Sequence, residues 1–84
     1  MVYIYKVEIE TDKETGEIIA SLPTLNYTAD FGATIEEAIG RLKELALGYI
    51  ETLIEEGESI PSSNKLAGND LYLSLEVEKL AEVA

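Results

Sequence analysis

Glu8, Glu10, Glu44, Asp70 and Glu76 are the residues of this 84-residue chain with the clearest capacity for chemistry. Three or four carboxylates drawn from a first strand, a long helix and a last strand are what Mg²⁺-dependent phosphodiester cleavage needs, because the hard cation takes oxygen ligands and activates water. The spacing works against such a centre. Glu8 and Glu10 alternate with Val7 and Ile9, so they fall on the strand face opposite the apolar one, away from a helix that carries Glu44. With 17 acidic residues in the chain, some grouping of this kind arises by chance. The sequence contains no His and no Cys. That removes the usual general base, the usual transition-metal ligands, thiolate sites and disulfides. No catalytic residue, metal site or cofactor is therefore assigned, and the chain is not expected to be an enzyme.

Binding is the other kind of chemistry, and here the charge speaks. Six basic residues face 17 acidic ones, a formal net charge of −11. Residues 1–33 and 34–57 each hold six acids against two bases, and residues 58–84 hold five against two. The charge is thus spread over the whole chain, with no detachable acidic tail. Nucleic acid is excluded as a direct ligand, since phosphate binding needs clustered Lys and Arg. Anionic membrane surfaces are excluded for the same reason. Two readings of the acidity remain: simple solubility, or attraction of a basic protein partner. Hydrophobic residues make up 46%, too many for a disordered acidic segment, and the length allows one domain with a small core. Domains this small often gain stability by self-association, so a homo-oligomer is expected. No apolar run reaches a membrane span, and the N-terminus lacks a basic signal-peptide region, so the expectation is a cytoplasmic protein. Gln is absent and Asn occurs three times, a composition compatible with a thermophilic source.

These residues must be held by a small set of elements. Residues 2–10 alternate, with Tyr3, Tyr5, Val7 and Ile9 on one face and Lys6, Glu8 and Glu10 on the other, which predicts a half-buried strand. Thr11 to Gly16 reads as a hairpin loop. Glu17 to Leu22 is a second strand, with Ile18, Ala20 and Leu22 inward and Ile19 outward, and Pro23 ends its pairing. Tyr27 to Phe31 is a third, short strand. Thr34-Ile35-Glu36-Glu37 is a capping box in which Thr34 bonds the N–H of Glu37 and Glu37 reaches back to the N–H of Thr34. A helix follows to about Glu56, with Ile35, Ala38, Ile39, Leu42, Leu45, Ala46, Tyr49, Leu53 and Ile54 as its apolar stripe and Gly57 just beyond its end. Gly40 and Gly48 within it are either exposed positions or points of close backbone approach. Glu58 to Asn69 is a loop. Leu71, Leu73, Leu75 and Val77 alternate with Tyr72, Ser74 and Glu76 as a fourth strand.

The order is β-β-β-α-β. A meander followed by a crossover helix predicts an α+β, two-layer fold: a mixed sheet ordered 3-2-1-4, its last strand parallel to the first, with one helix on one face. The outer sheet face would then carry Ile4, Lys6, Glu8, Ile19, Thr28, Asp30, Tyr72 and Ser74, a mixture that suggests partial burial against something. Residues 1–84 form a single domain in this reading, with a core over residues 2–77 and a short, frayed, helix-prone tail over 78–84.

Several segments resemble the HicB-like antitoxin family. They are Tyr5-Lys6-Val7-Glu8-Ile9-Glu10, Gly16 to Pro23, Gly32-Ala33-Thr34-Ile35-Glu36-Glu37-Ala38, and Leu53 to Pro61 with its Glu-Gly-Glu-Ser-Ile-Pro run. Together the four pieces cover roughly residues 3–61 in the family's order. The resemblance implies a partial RNase H-like fold, the β-β-β-α-β order reached above. It also implies an antitoxin or regulator of a type II toxin–antitoxin system. Such a protein neutralises a small basic HicA-like, mRNA-cleaving toxin by direct protein–protein binding. The segment Pro23-Thr24-Leu25-Asn26-Tyr27 departs from the family's Pro-Asp-Leu-Pro-Gly pattern. Many members append a DNA-binding domain; this sequence stops at Ala84, and operator binding is not expected of it.

Glu17, Ile19, Thr28, Asp30 and Phe31 are the expected partner contacts, because they lie on the second and third strands at one end of the sheet. Phe31, the only Phe, also suits the core, and Glu17 and Asp30 also suit plain solvation. The alternative function is an orphan HicB-like structural or assembly module that self-associates through open sheet edges, with no toxin partner.

Overall fold

The computed structural model describes residues 1–77. The expected C-terminal tail at 78–84 lies outside the described residues. The chain forms strands β1 (Val2–Thr11), β2 (Ile18–Leu22) and β3 (Thr28–Gly32), helix α1 (Ile35–Glu56) and strand β4 (Leu71–Glu76), with a short 3-10 turn at Pro23–Leu25. Helix α1 begins where the capping box predicts. Thr34 Oγ1 accepts the Glu37 N–H at 3.1 Å. The reciprocal bond falls one residue earlier than expected: Glu37 Oε1 accepts from Ala33 N–H at 2.6 Å. At the other end Gly57 takes φ 71°, and its N–H caps the last turn. Positive φ is cheap for Gly alone, which fits the stop.

The sheet has the order β3-β2-β1-β4, as the sequence implies. The direction of β4 differs. It pairs antiparallel with β1, Tyr3 opposite Leu75 and Tyr5 opposite Leu73, so the sheet is antiparallel throughout and not mixed. The reason lies in the loop after α1. That loop runs back along β1 before β4 begins, so β4 enters from the far end. Met1 and Val77 exchange both backbone bonds, so the amides of Ile4 and Lys6 point away from β4. On that side β2 pairs only with Glu8 to Thr11. The loop supplies what is missing: Ser63 Oγ accepts from Ile4 N–H at 2.9 Å, Asn64 Oδ1 from Lys6 N–H at 2.8 Å, and Asn64 N–H donates to Ile4 O at 2.8 Å. The chain then crosses the outer sheet face. There the Tyr72 hydroxyl accepts from Ala67 N–H at 2.8 Å and donates to Lys65 O at 3.1 Å. Lys6 pairs loosely with Asp70 at 3.8 Å, in a contact too exposed to stabilise much. Part of the outer face is therefore covered by the chain itself.

The core lies between α1 and the inner face. Tyr5, Leu22, Leu25, Leu42, Ile50 and Leu75 are its largest fully buried side chains. On α1 the buried line is Ala38, Leu42, Ala46 and Ile50. A four-residue step drifts around a 3.6-residue helix, so the contact runs diagonally across the sheet. The expected stripe is corrected accordingly: Ile35 and Leu45 fall off the diagonal and are exposed, while Ile50 joins it. A Cβ at Gly40 or Gly48 would have nothing within 4 Å, so neither marks a close approach. Replacing both by Ala should stabilise the domain by about 1 kcal/mol each from helix propensity, read as a raised urea midpoint.

Tyr5 is fully buried and donates its hydroxyl to Pro61 O at 2.6 Å. It stacks on Tyr3 with ring centroids 6.3 Å apart. Burial pushes its pKa up from 10.0 to about 12, with Tyr3 adding to the rise. The folded state therefore holds this proton more tightly than the unfolded chain does. Its contribution is complete below about pH 10 and is lost as pH climbs toward about 12. Denaturation midpoints should fall through that window, and Tyr5→Phe, less stable at neutral pH, should show a flatter alkaline decline.

Candidate binding groove

Outside the covered area, the outer face is open over β2 and β3. Ile19 stands directly opposite Phe31, and Ser21 opposite Ala29. Glu10 faces Ile19 from β1. The hairpin between β1 and β2 closes beside them through Asp12 N–H to Glu17 O at 2.8 Å. Together Asp12, Glu17, Ile19, Ala29, Asp30 and Phe31 line an open groove of about 220 Å³. Its floor is apolar and its rim carries the carboxylates of Asp12 and Glu17, while Asp30 lines it from a position whose side chain belongs to the helix side by register. Phe31 is 46% exposed, unusual for the only Phe of a small domain.

The rim acids are partly held in place. Asp12 Oδ1 accepts from Glu14 N–H at 2.8 Å and, longer, from Thr15 N–H at 3.4 Å. Asp30 Oδ1 accepts from Phe31 N–H at 2.8 Å, which satisfies a donor on the outer edge of β3. No basic side chain lines the groove.

Four of the expected contact residues, Glu17, Ile19, Asp30 and Phe31, come together here. Thr28 does not: it pairs with Leu22 and donates its hydroxyl to Leu25 O at 2.7 Å, at the corner after β2. The faces of β3 are the reverse of the expected ones. Thr28 and Asp30 sit on the helix side by register, opposite Leu22 and Ala20, while Ala29 and Phe31 point outward. The cause is local. Asn26 and Tyr27 both take left-handed φ, 55° and 56°, and this tight reversal starts β3 one residue late. Tyr27 adopts that costly conformation while 72% exposed. Asp12 and Ala29 were not predicted, the first because it read as a loop residue, the second because of the reversed faces.

The carboxylates that could have formed a metal centre do not converge. Glu8 and Glu10 lie on the outer sheet face, while Glu44 lies on the exposed side of α1, with the sheet and core between them. Among the described residues no group of three acids could hold a metal ion. Likewise, no helix among them is long and apolar enough to cross a membrane.

No family model matches the sequence, and no curated protein does. Among solved structures, the N-terminal domain of the antitoxin HicB from Burkholderia pseudomallei matches with a TM-score of 0.66. The match covers 94% of this chain and 100% of that one, at 20% identity. The chain therefore has the fold of a HicB N-terminal domain, the fold that its sequence segments resemble.

Proposed function

We propose that this chain is a cytoplasmic, HicB-like antitoxin or regulator that neutralises a small basic, HicA-like mRNA-cleaving toxin by direct protein–protein binding. The observation that carries this reading is the acid-rimmed, apolar-floored groove on a domain with the HicB N-terminal fold. A toxin surface that binds RNA phosphates is positive, and the same surface suits a carboxylate-rich partner. Inhibition then needs no chemistry from this chain, only occlusion of the RNA-binding surface. Glu17, Ile19, Asp30 and Phe31 are the contact residues in this reading, and Thr28 supports the corner beside them. The chain also self-associates in this reading, since among the described residues β3 and β4 each have only one strand neighbour.

The test is to look for a small basic protein encoded beside this chain, purify the two and mix them over a salt series; a locus without one favours the self-associating module instead. The expected result is a complex at low salt that weakens as salt rises, together with loss of the partner's RNA cleavage. Absence of a complex at low salt, or cleavage that continues within one, overturns the reading.

A further inference from the structure

The groove is more specific than a negative patch. Its floor offers the exposed ring of Phe31 beside Ile19 and Ala29, and its rim offers Asp12 and Glu17. One oxygen of Asp12 is already occupied by backbone N–H groups, which fixes the carboxylate and leaves its second oxygen for a ligand. Such a site asks for a group that is cationic, flat enough to lie on an aromatic ring and able to donate several hydrogen bonds at its edge. An ammonium is cationic and carries three donors, but it is not flat. A guanidinium meets all three, because it is planar, weakly hydrated and carries five donors that match carboxylate geometry. Stacking on Phe31 adds cation–π attraction.

We propose that the groove is a receptor for a single arginine side chain of a protein partner, stacked on Phe31 and held at its edge by Glu17 and Asp12. This rests on the reading of a basic partner and names the element of that partner that the groove takes. Charge complementarity commits the site to this occupant: a groove rimmed by Asp12 and Glu17, with no base in its lining, repels an acidic group and offers a neutral one no electrostatic gain.

The experiment titrates the isotope-labelled full chain with three capped tripeptides, Ala-Arg-Ala, Ala-Lys-Ala and Ala-citrulline-Ala, and follows amide shifts. Saturable shifts confined to Asp12, Glu17, Ile19 and residues 29–31 are expected with the arginine peptide. Binding of the lysine peptide should be several-fold weaker, and the neutral citrulline peptide should give no saturable shift. Phe31→Leu keeps an apolar floor and removes the ring; it should weaken arginine binding about two- to five-fold and lysine binding less. Glu17→Gln, an isosteric change at the half-buried rim that removes only the charge, should weaken both. Shifts spread evenly over every acidic face, no saturable shift at all, equal arginine and lysine affinity, or indifference to Phe31→Leu would each overturn the proposal. The two readings fail separately. If the arginine peptide binds here but no basic toxin is inhibited, the receptor stands and the antitoxin reading falls. If Phe31→Leu and Glu17→Gln inhibit the toxin as well as the parent chain does, the antitoxin reading stands and the receptor falls.

Discussion

Leu42→Ala is expected to cost about 2–5 kcal/mol, the range for truncating a buried leucine that leaves a cavity. Leu42 is fully buried, in the middle of the diagonal line that α1 presents to the sheet. Its neighbours on that line, Ala38 and Ala46, are small. They cannot lean in to fill the gap, which argues for the upper half of the range. A chain of 84 residues has roughly 4–13 kcal/mol to lose in total. The change should therefore lower the Tm by on the order of 20 °C. Calorimetry or urea titration measures it. The groove lies on the opposite face of the sheet, so the folded fraction should still bind its ligand with unaltered affinity. A loss below about 1 kcal/mol would show that the helix repacks and that the core is not set by this line.

The second large effect comes from Gly32→Ala. Gly32 ends β3 and is buried beneath the first turn of α1. A Cβ there would stand 2.8 Å from the backbone nitrogen of Ala38 and 2.9 Å from Cβ and Cγ of Glu37. Neither obstacle is the free end of a side chain. Ala38 N is locked in the helix by its bond to Thr34 O, and Glu37 is tied at its far end to Ala33 N–H and, at 3.4 Å, to Arg41. Relief must come from moving β3 and α1 apart. Overpacking of this kind costs about 1–3 kcal/mol. Unlike Leu42→Ala, this substitution pushes on the residue next to Phe31. It should lower stability and groove affinity together. A variant that loses stability while binding normally would show that the strain is absorbed on the helix side.

Much of this architecture was legible in local chemistry. Thr34 and Glu37 marked the helix start to the residue, and Gly57 marked its end, because caps and positive φ are demands of the backbone itself. Strand order followed from short links and a long helix. Two features of the sheet were not legible. The direction of β4 depends on Ser63 and Asn64 acting as surrogate ladder partners, and side-chain-to-backbone bonds leave no periodicity in a sequence. The faces of β3 depend on two consecutive non-glycine residues in left-handed conformation, which residue types disfavour. The groove shows the same division. Glu17, Ile19, Asp30 and Phe31 came together because β2 and β3 are neighbours whichever way they face. Thr28 fell outside it, and Asp12 and Ala29 entered, because membership also depends on facing and on how the hairpin closes.

The surrogate pairing along β1 has a consequence for how the molecule breathes. A strand amide bonded to another strand exchanges its hydrogen only when the ladder opens, often with the whole domain. The amides of Ile4 and Lys6 are bonded instead to Ser63 Oγ and Asn64 Oδ1 on a loop. Rotation of two side chains frees them while the neighbouring ladder to β4 stays intact. In deuterated solvent these two positions should therefore exchange early, between slow neighbours at Tyr3 and Tyr5. The central strand of the sheet then carries two clocks on alternate residues, one set by the domain and one by its loop.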